Sequence, residues 1–245
     1  MATIPALKIT HALASHGEAS NPVYPQKNLL PFWAWLFDLE LEVSRPWPGS
    51  AVGGQTDEVT LWVKLPGGTW TEAEKYKLPG LITFPLKLKL PQKYLWVGVT
   101  EIQIKVINHD GTPHESEPTF LTIQDRIPLD GATPAEPIVP EETTSGPGVT
   151  TGYLKAHCNV VQIRIPGHSG YVNGDTVQVF FGPPNAPEVI EVLVNHLEGE
   201  TVVPLPGWIF VNIGNGVYLL HYRIKSRAGV SSKDSMAEFI RVNIV

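Results

Sequence analysis

The chain has 245 residues, 42% hydrophobic and 17% charged, with a formal net charge of −6. That balance argues against a nucleic-acid binder, which needs a basic surface. The single cysteine, Cys158, excludes an intrachain disulfide, so the fold must rest on its apolar core.

Residues 1–27 show only weak alternation, with Ile4, Leu7, Ile9 and Leu13 around Pro5. They are expected to be weakly structured or to supply an edge strand. Met1 to Ser20 contain no basic segment followed by a continuous apolar core, so no Sec signal is read there. Export by another route, retention in the cell, or a chain that is a piece of a longer one all stay open. No apolar run reaches the ~18–20 residues of a membrane-spanning helix.

Residues 32–43 read as one strand. Trp33, Trp35, Phe37, Leu39, Leu41 and Val43 occupy the odd positions, and Asp38, Glu40 and Glu42 the later even ones. Phe32, Ala34 and Leu36 are apolar too, so that end is either buried on both faces or covered by a partner. After a Pro- and Gly-rich loop come strands around Val59, Leu61 and Val63, then Leu86, Leu88 and Leu90, then Ile102, Ile104 and Val106. Lys87 and Lys89 are the wet face of their strand. Asn108-His109-Asp110-Gly111 is a hairpin signal, because these residues tolerate positive φ. Phe120–Ile123 closes a first module, residues 28–124.

Residues 125–150 hold Pro128, Pro134, Pro137, Pro140 and Pro147, the composition of a stiff, extended linker, part of which can serve as a first edge strand. A second module, residues 151–245, has strands around Val161–Ile165, Val177–Phe181, Val189–Asn195, Glu200–Leu205, Val217–Lys225 and Phe239–Val245.

The two modules repeat at a spacing of 118 residues. Asp57, Val59, Leu61, Trp62 and Val63 recur as Asp175, Val177, Val179, Phe180 and Phe181. Gly98, Val99, Ile102, Ile104 and Val106 recur as Gly216, Val217, Leu220, Tyr222 and Ile224. With about seven short strands per module, the expected fold is all-β: two tandem immunoglobulin-like β-sandwich domains joined by the Pro-rich linker. An up-and-down barrel also fits the strand count, but prolines at strand ends favour open sheets.

Ile163-Arg164-Ile165-Pro166-Gly167, Gly174-Asp175-Thr176-Val177-Gln178-Val179, Val202-Val203-Pro204-Leu205, and Gly216-Val217 with Tyr222-Arg223-Ile224 carry a resemblance. The second module resembles a unit of bacterial immunoglobulin-like tandem-repeat proteins of the adhesin or invasin kind. The Trp-rich first module matches loosely, as a terminal repeat would. The resemblance implies a surface-adhesion or stalk role, extracellular or at the cell surface, and supplies no catalytic residues.

No enzymatic chemistry is expected. Gly167-His168-Ser169-Gly170 lacks the final Gly and the helix of a nucleophile elbow. His109, Asp110, His114 and Glu115 match no zinc spacing, and Asp57 and Asp175 lack the clustering of a calcium loop, so no metal or cofactor is expected. The two aspartates read as turn caps. Cys158 reads as a buried structural thiol. The candidate contact surface is aromatic: Trp33, Trp35, Trp62, Trp70 and Trp96. For Trp33 and Trp35 the core is the favoured alternative, while Trp62 is balanced between core and surface. The expected role is a structural or adhesive module of a surface protein or self-assembling filament. It would work through protein partners or self-association, by apolar surface near residues 28–37 and open strand edges. A carbohydrate-binding module with a Trp62, Trp70 and Trp96 platform, and an accessory domain of a toxin or phage-like particle, are the alternatives.

Overall fold

A computed structural model of the chain describes residues 3–14, 24, 26–194 and 199–244. The chain divides into two compact units, Met1–Asp125 and Arg126–Val245.

The first unit contains β1 (Thr3–Ile4), β2 (Lys8–Ile9), β3 (Leu39–Val43), β4 (Thr56–Lys64), β5 (Trp70–Pro79), β6 (Leu86–Leu90), β7 (Gly98–Ile107), β8 (Pro113–Ser116) and β9 (Thr119–Ile123). One sheet runs β1-β8-β7-β4-β5, with β9 following β8 along β7; the other runs β2-β3-β6. Alternation decides which side chains meet between them. Leu39, Leu41, Val43, Leu88 and Leu90 come from the smaller sheet, and Val59, Leu61, Val63, Ile102, Ile104 and Val106 from the larger. All are at most 1% exposed, so this is a two-sheet sandwich with one continuous core.

The second unit repeats the plan with β10 (Val149–Thr150), β11 (Val160–Ile165), β12 (Thr176–Gly182), β13 (Glu188–Leu193), β14 (Thr201–Pro206), β15 (Gly216–Lys225) and β16 (Glu238–Asn243). The short helix α1 (Glu141–Thr144) precedes β10, α2 (Thr151–Ala156) follows it, and α3 (Gly207–Ile213) follows β14. The larger sheet runs β10-β16-β15-β12-β13, and β11 pairs with β14. In both units a short early strand lies parallel to a late strand, β1 to β8 and β10 to β16, while the other strand pairs are antiparallel. These are immunoglobulin-like sandwiches, and the fold is all-β.

The 118-residue spacing is a register in space. Val59 lies opposite Val106 and Leu61 opposite Ile104; Val177 lies opposite Ile224 and Val179 opposite Tyr222. A β-bulge interrupts the next pairing at Leu61/Trp62 in one unit and at Val179/Phe180 in the other, again 118 residues apart. The hairpin after the central strand repeats as well. Asn108 N–H donates to Thr112 O, and Ser226 N–H to Val230 O.

Two expectations are corrected. Phe32–Leu36 is a 3-10 turn, and the strand starts only at Leu39. Six consecutive apolar residues carry no period of two, and Pro31 starts the turn at φ −65°. Residues 126–150 do not form a linker but enter the second unit. Leu129 and Val149 join its core, and Ile138 exchanges two 2.8 Å backbone bonds with Arg164 at the side of β11. Prolines suit an edge strand as well as a linker, and the apolar residues between them decide the outcome. The N-terminal segment does provide edge strands, β1 and β2.

Two buried aspartates hold the repeat in phase, as caps of the kind expected. Asp57 is fully buried and accepts from Trp47 Nε1 at 2.7 Å, Ala51 N–H at 2.9 Å and His109 N–H at 2.8 Å. Asp175 accepts from Val172 N–H at 2.9 Å and pairs with Arg126. Burial pushes the Asp175 carboxyl above the usual range, against the opposing pull of Arg126. Asp57→Ala would orphan three donors at once, and hydrogen bonds to a charged group contribute ~1.5–3 kcal/mol each. We expect a loss of about 3 kcal/mol or more in urea unfolding, with Asp57→Asn intermediate.

Candidate interaction surface

The five tryptophans expected to form a contact surface separate. Trp33 is 53% exposed and Trp96 59%. Trp35 is half-buried against the first core, edge-on to Phe32 at 5.3 Å. Trp62 and Trp70 are also half-buried. The fully buried tryptophan is instead Trp47, which bonds Asp57. The reading of Trp33 as core is therefore corrected. The 3-10 turn buries Ala34 and leaves Trp33 outside, its ring edge against His11 at 4.9 Å.

That turn concentrates apolar surface. Phe32, Trp33, Leu36 and Phe37 are 43%, 53%, 45% and 66% exposed. Leu39 lies opposite Leu90, and Gln92 N–H donates to Asp38 Oδ1 at 3.0 Å. The turn around Gln92–Tyr94 therefore stands at the same end of the sandwich, and Trp96, its N–H bonded to Lys93 O at 2.7 Å, follows it. Scattered exposed apolar residues are normal; several large ones within six positions are not.

A second feature lies on the outer faces of the larger sheets, where the two units again correspond. Lys105 Nζ sits 5.2 Å from the Trp62 ring centroid, and Arg223 sits 5.1 Å from that of Phe180. Both pairs are the same two positions, 118 residues apart, and each cation adds about 0.5–1 kcal/mol at an exposed site. His221 stacks on the same Phe180 ring at 5.0 Å and 12°. Asp234 bonds Arg223 through Nε and Nη2. Nearby apolar pairs also repeat: Val99 with Phe120 in the first unit and Val217 with Phe239 in the second are all more than one third exposed.

The proposed sugar platform is only partly assembled. Trp62 lies opposite Glu72 and Trp70 opposite Lys64, so both occupy the outer face. Trp96 lies outside the strands, and among the described residues no ring contact joins any two of the three.

The remaining candidates resolve locally. His114 is buried with neither ring nitrogen bonded, while Asp110 caps its own hairpin by accepting from Thr112 N–H at 2.8 Å. Among the described residues no group of three or more His, Cys, Asp or Glu could hold a metal ion. His168 Nδ1 accepts from Gly170 N–H at 2.8 Å, which makes that segment a turn. Cys158 is exposed, not buried as expected. It follows α2 at φ +55°, two residues before β11 begins, and so never enters the sheet. It borders a cavity of about 590 Å³ between Val139, Glu142, Tyr153, His157 and Arg164. Glu40 and Glu42 form cross-strand ion pairs, with Lys87 at 3.0 Å and with Lys8 at 3.6 Å.

No family model matches the chain, and no curated protein matches it in sequence. Several solved structures show a weak likeness to it. The chain is similar to fibronectin(III)-like modules of Clostridium thermocellum CbhA, with 12% identity, 97% of this chain and 94% of that one covered, and a TM-score of 0.44. It is similar to a structure from a 1.5-MDa bacterial ice-binding adhesin, with 11% identity, 100% and 66% covered, and a TM-score of 0.37. It is also similar to a tetra-tandem repeat in the extending region of a large adhesion protein, with 8% identity and a TM-score of 0.30; the match covers 97% of this chain and 48% of that one. Similarity at this level carries no functional argument. No described helix is long and apolar enough to cross a membrane.

Two measurements check this geography. Trp33→Ala should change stability by no more than about 0.5 kcal/mol, whereas Trp47→Ala should cost about 3–5 kcal/mol, both read by chemical denaturation. The second concerns His221. Burial holds its pKa below the ordinary value, Asp234 opposes this and Arg223 reinforces it. The folded chain therefore binds the His221 proton less tightly than the unfolded chain. Its stability contribution is intact above the unfolded value of about 6.5 and is lost as pH falls through that value towards the folded one. Between pH 7.5 and 5, wild type should lose more stability than His221→Gln in urea titrations.

Proposed function

We propose that the chain is a non-enzymatic structural or adhesive module of a bacterial surface protein or self-assembling filament, held outside the cell and acting through apolar contacts with protein partners or with itself. The observation that carries this reading is the exposed turn of Phe32, Trp33, Leu36 and Phe37. A rigid sandwich gains nothing in its own stability from presenting four large apolar side chains, whereas an interface does. The sequence resemblance of the second unit to bacterial immunoglobulin-like repeats supports the surface location.

A glycan-binding reading has one observation in its favour, the shared outer face of Trp62 and Trp70. Glycan-array binding abolished by Trp62→Ala would select it.

The adhesive reading predicts that Trp33→Ser/Phe37→Ser keeps the thermal midpoint of wild type within a few degrees, because neither side chain is core. The same variant should lose binding to cell surfaces, measured by surface-binding assays. Wild-type binding in that assay would refute it.

A further inference from the structure

The outermost strands of the two larger sheets, β5 and β13, hold equivalent places but present different edges. β5 carries Glu72, Glu74, Lys75 and Lys77, and its Tyr76 hydroxyl donates to Lys89 O at 2.8 Å and accepts from Lys89 N–H at 3.1 Å across to β6. Charges on an edge, especially lysines, discourage pairing with another chain. β13 has neither device. Its sequence, Glu188-Val189-Ile190-Glu191-Val192-Leu193, has no lysine and no proline, and among the described strands it pairs only with β12. Both glutamates are engaged on their own sheet. Gln178 Nε2 donates to Glu188 at 2.6 Å, and Thr176 and Lys225 bond Glu191 at 2.6 and 3.3 Å. The result is a short strand of high β-propensity with an open side.

We infer that β13 is a homotypic seam, pairing antiparallel with β13 of a second copy of this chain about a two-fold axis at Val192. This rests on the reading above of a module that works by contact, and it names the partner. The backbone phase selects the register. Val194 N–H donates to Asp175 O at 2.9 Å, continuing the pairing of Thr176 with Leu193 and Val177 with Val192. Hydrogen-bonded and non-hydrogen-bonded pairs alternate along an antiparallel ladder. Val194, Val192 and Ile190 therefore turn their backbone groups towards β12, and Glu191 and Leu193 turn theirs outward. An axis at Val192 sets Glu191 opposite Leu193 of the second copy and Leu193 opposite its Glu191. Two bonds form at each pair, four in all. Val192 then faces its own counterpart, a β-branched pair of the kind that stabilises sheets. An axis at Glu191 would instead place two carboxylates directly opposite, which is unfavourable. Charge thus favours the axis at Val192 over the axis at Glu191. A two-fold contact of this kind closes on itself, so the product is a dimer.

The test is sedimentation equilibrium of the full chain with three substitutions at one position. Leu193→Glu sets like charges opposite and should weaken the dimer about tenfold. Leu193→Lys meets Glu191 of the second copy and should hold or tighten it. Leu193→Pro deletes only an outward N–H, which an edge strand tolerates, and should leave a folded monomer by circular dichroism. Wild type that stays monomeric up to about 1 mM, or equal effects of Glu and Lys, would overturn the inference. Self-association lost in Trp33→Ser/Phe37→Ser but untouched by all three Leu193 variants would also overturn it, while leaving the adhesive reading in place.

Discussion

The architecture depends on the register of one central antiparallel pair, β4 with β7 and β12 with β15. Because strand side chains alternate with a period of two, a slip of one residue would turn Val59, Leu61 and Val63 out to solvent and bring Glu58, Thr60 and Trp62 into the core. The alternation itself does not say where each strand begins. A carboxylate at the first turn of the pair supplies that information. Asp57 gathers an indole and a backbone donor from the loop before its strand and a second backbone donor from the hairpin after β7, and Asp175 binds the preceding turn and Arg126. Once that end is fixed, the cross-strand pairs and the bulges at Trp62 and Phe180 follow at the same positions in both units.

What could be read in the chain beforehand follows from how far each determinant lies along the sequence. Alternating rows such as Leu86, Leu88 and Leu90 are local, and so is the Asn108–Gly111 hairpin; both were legible. The duplication was legible because its most constrained residues, the inward rows and the aspartates, are those that tolerate little change. The 32–36 segment was misread because its apolar residues fill both phases, so that Pro31, rather than the pattern, sets the backbone. The 125–150 stretch was misread because prolines are compatible with either a spacer or an edge. The pairing of Ile138 and the burial of Val149 depend on β11 and β16, which are distant in sequence. The exposure of individual tryptophans was hidden for the same reason: whether an indole is covered is decided by residues tens of positions away. The open side of β13 was equally hidden, since a lone strand sequence does not reveal how many neighbours it acquires.

The two units show how one scaffold can carry different surfaces. Their interiors are interchangeable in kind, rows of aliphatic residues closing a two-layer core, and function is not specified by such a framework. Their exteriors differ. One unit gathers aromatic residues at an end of the sandwich, and the other has a single tryptophan, Trp208, exposed on α3. The retained features are those that brace the sheet, including a cation over an aromatic ring on each outer face. Divergence has been concentrated where it costs the fold least.

The Tyr76 hydroxyl has a consequence beyond its two hydrogen bonds. By engaging both the carbonyl and the amide of Lys89, it occupies the backbone positions through which β6 could accept a foreign strand. It also ties the margins of the two layers together. At Lys89, therefore, a single phenol acts as a stopper on the β6 margin, the kind of device that guards a β-rich protein against stacking at open sheet edges.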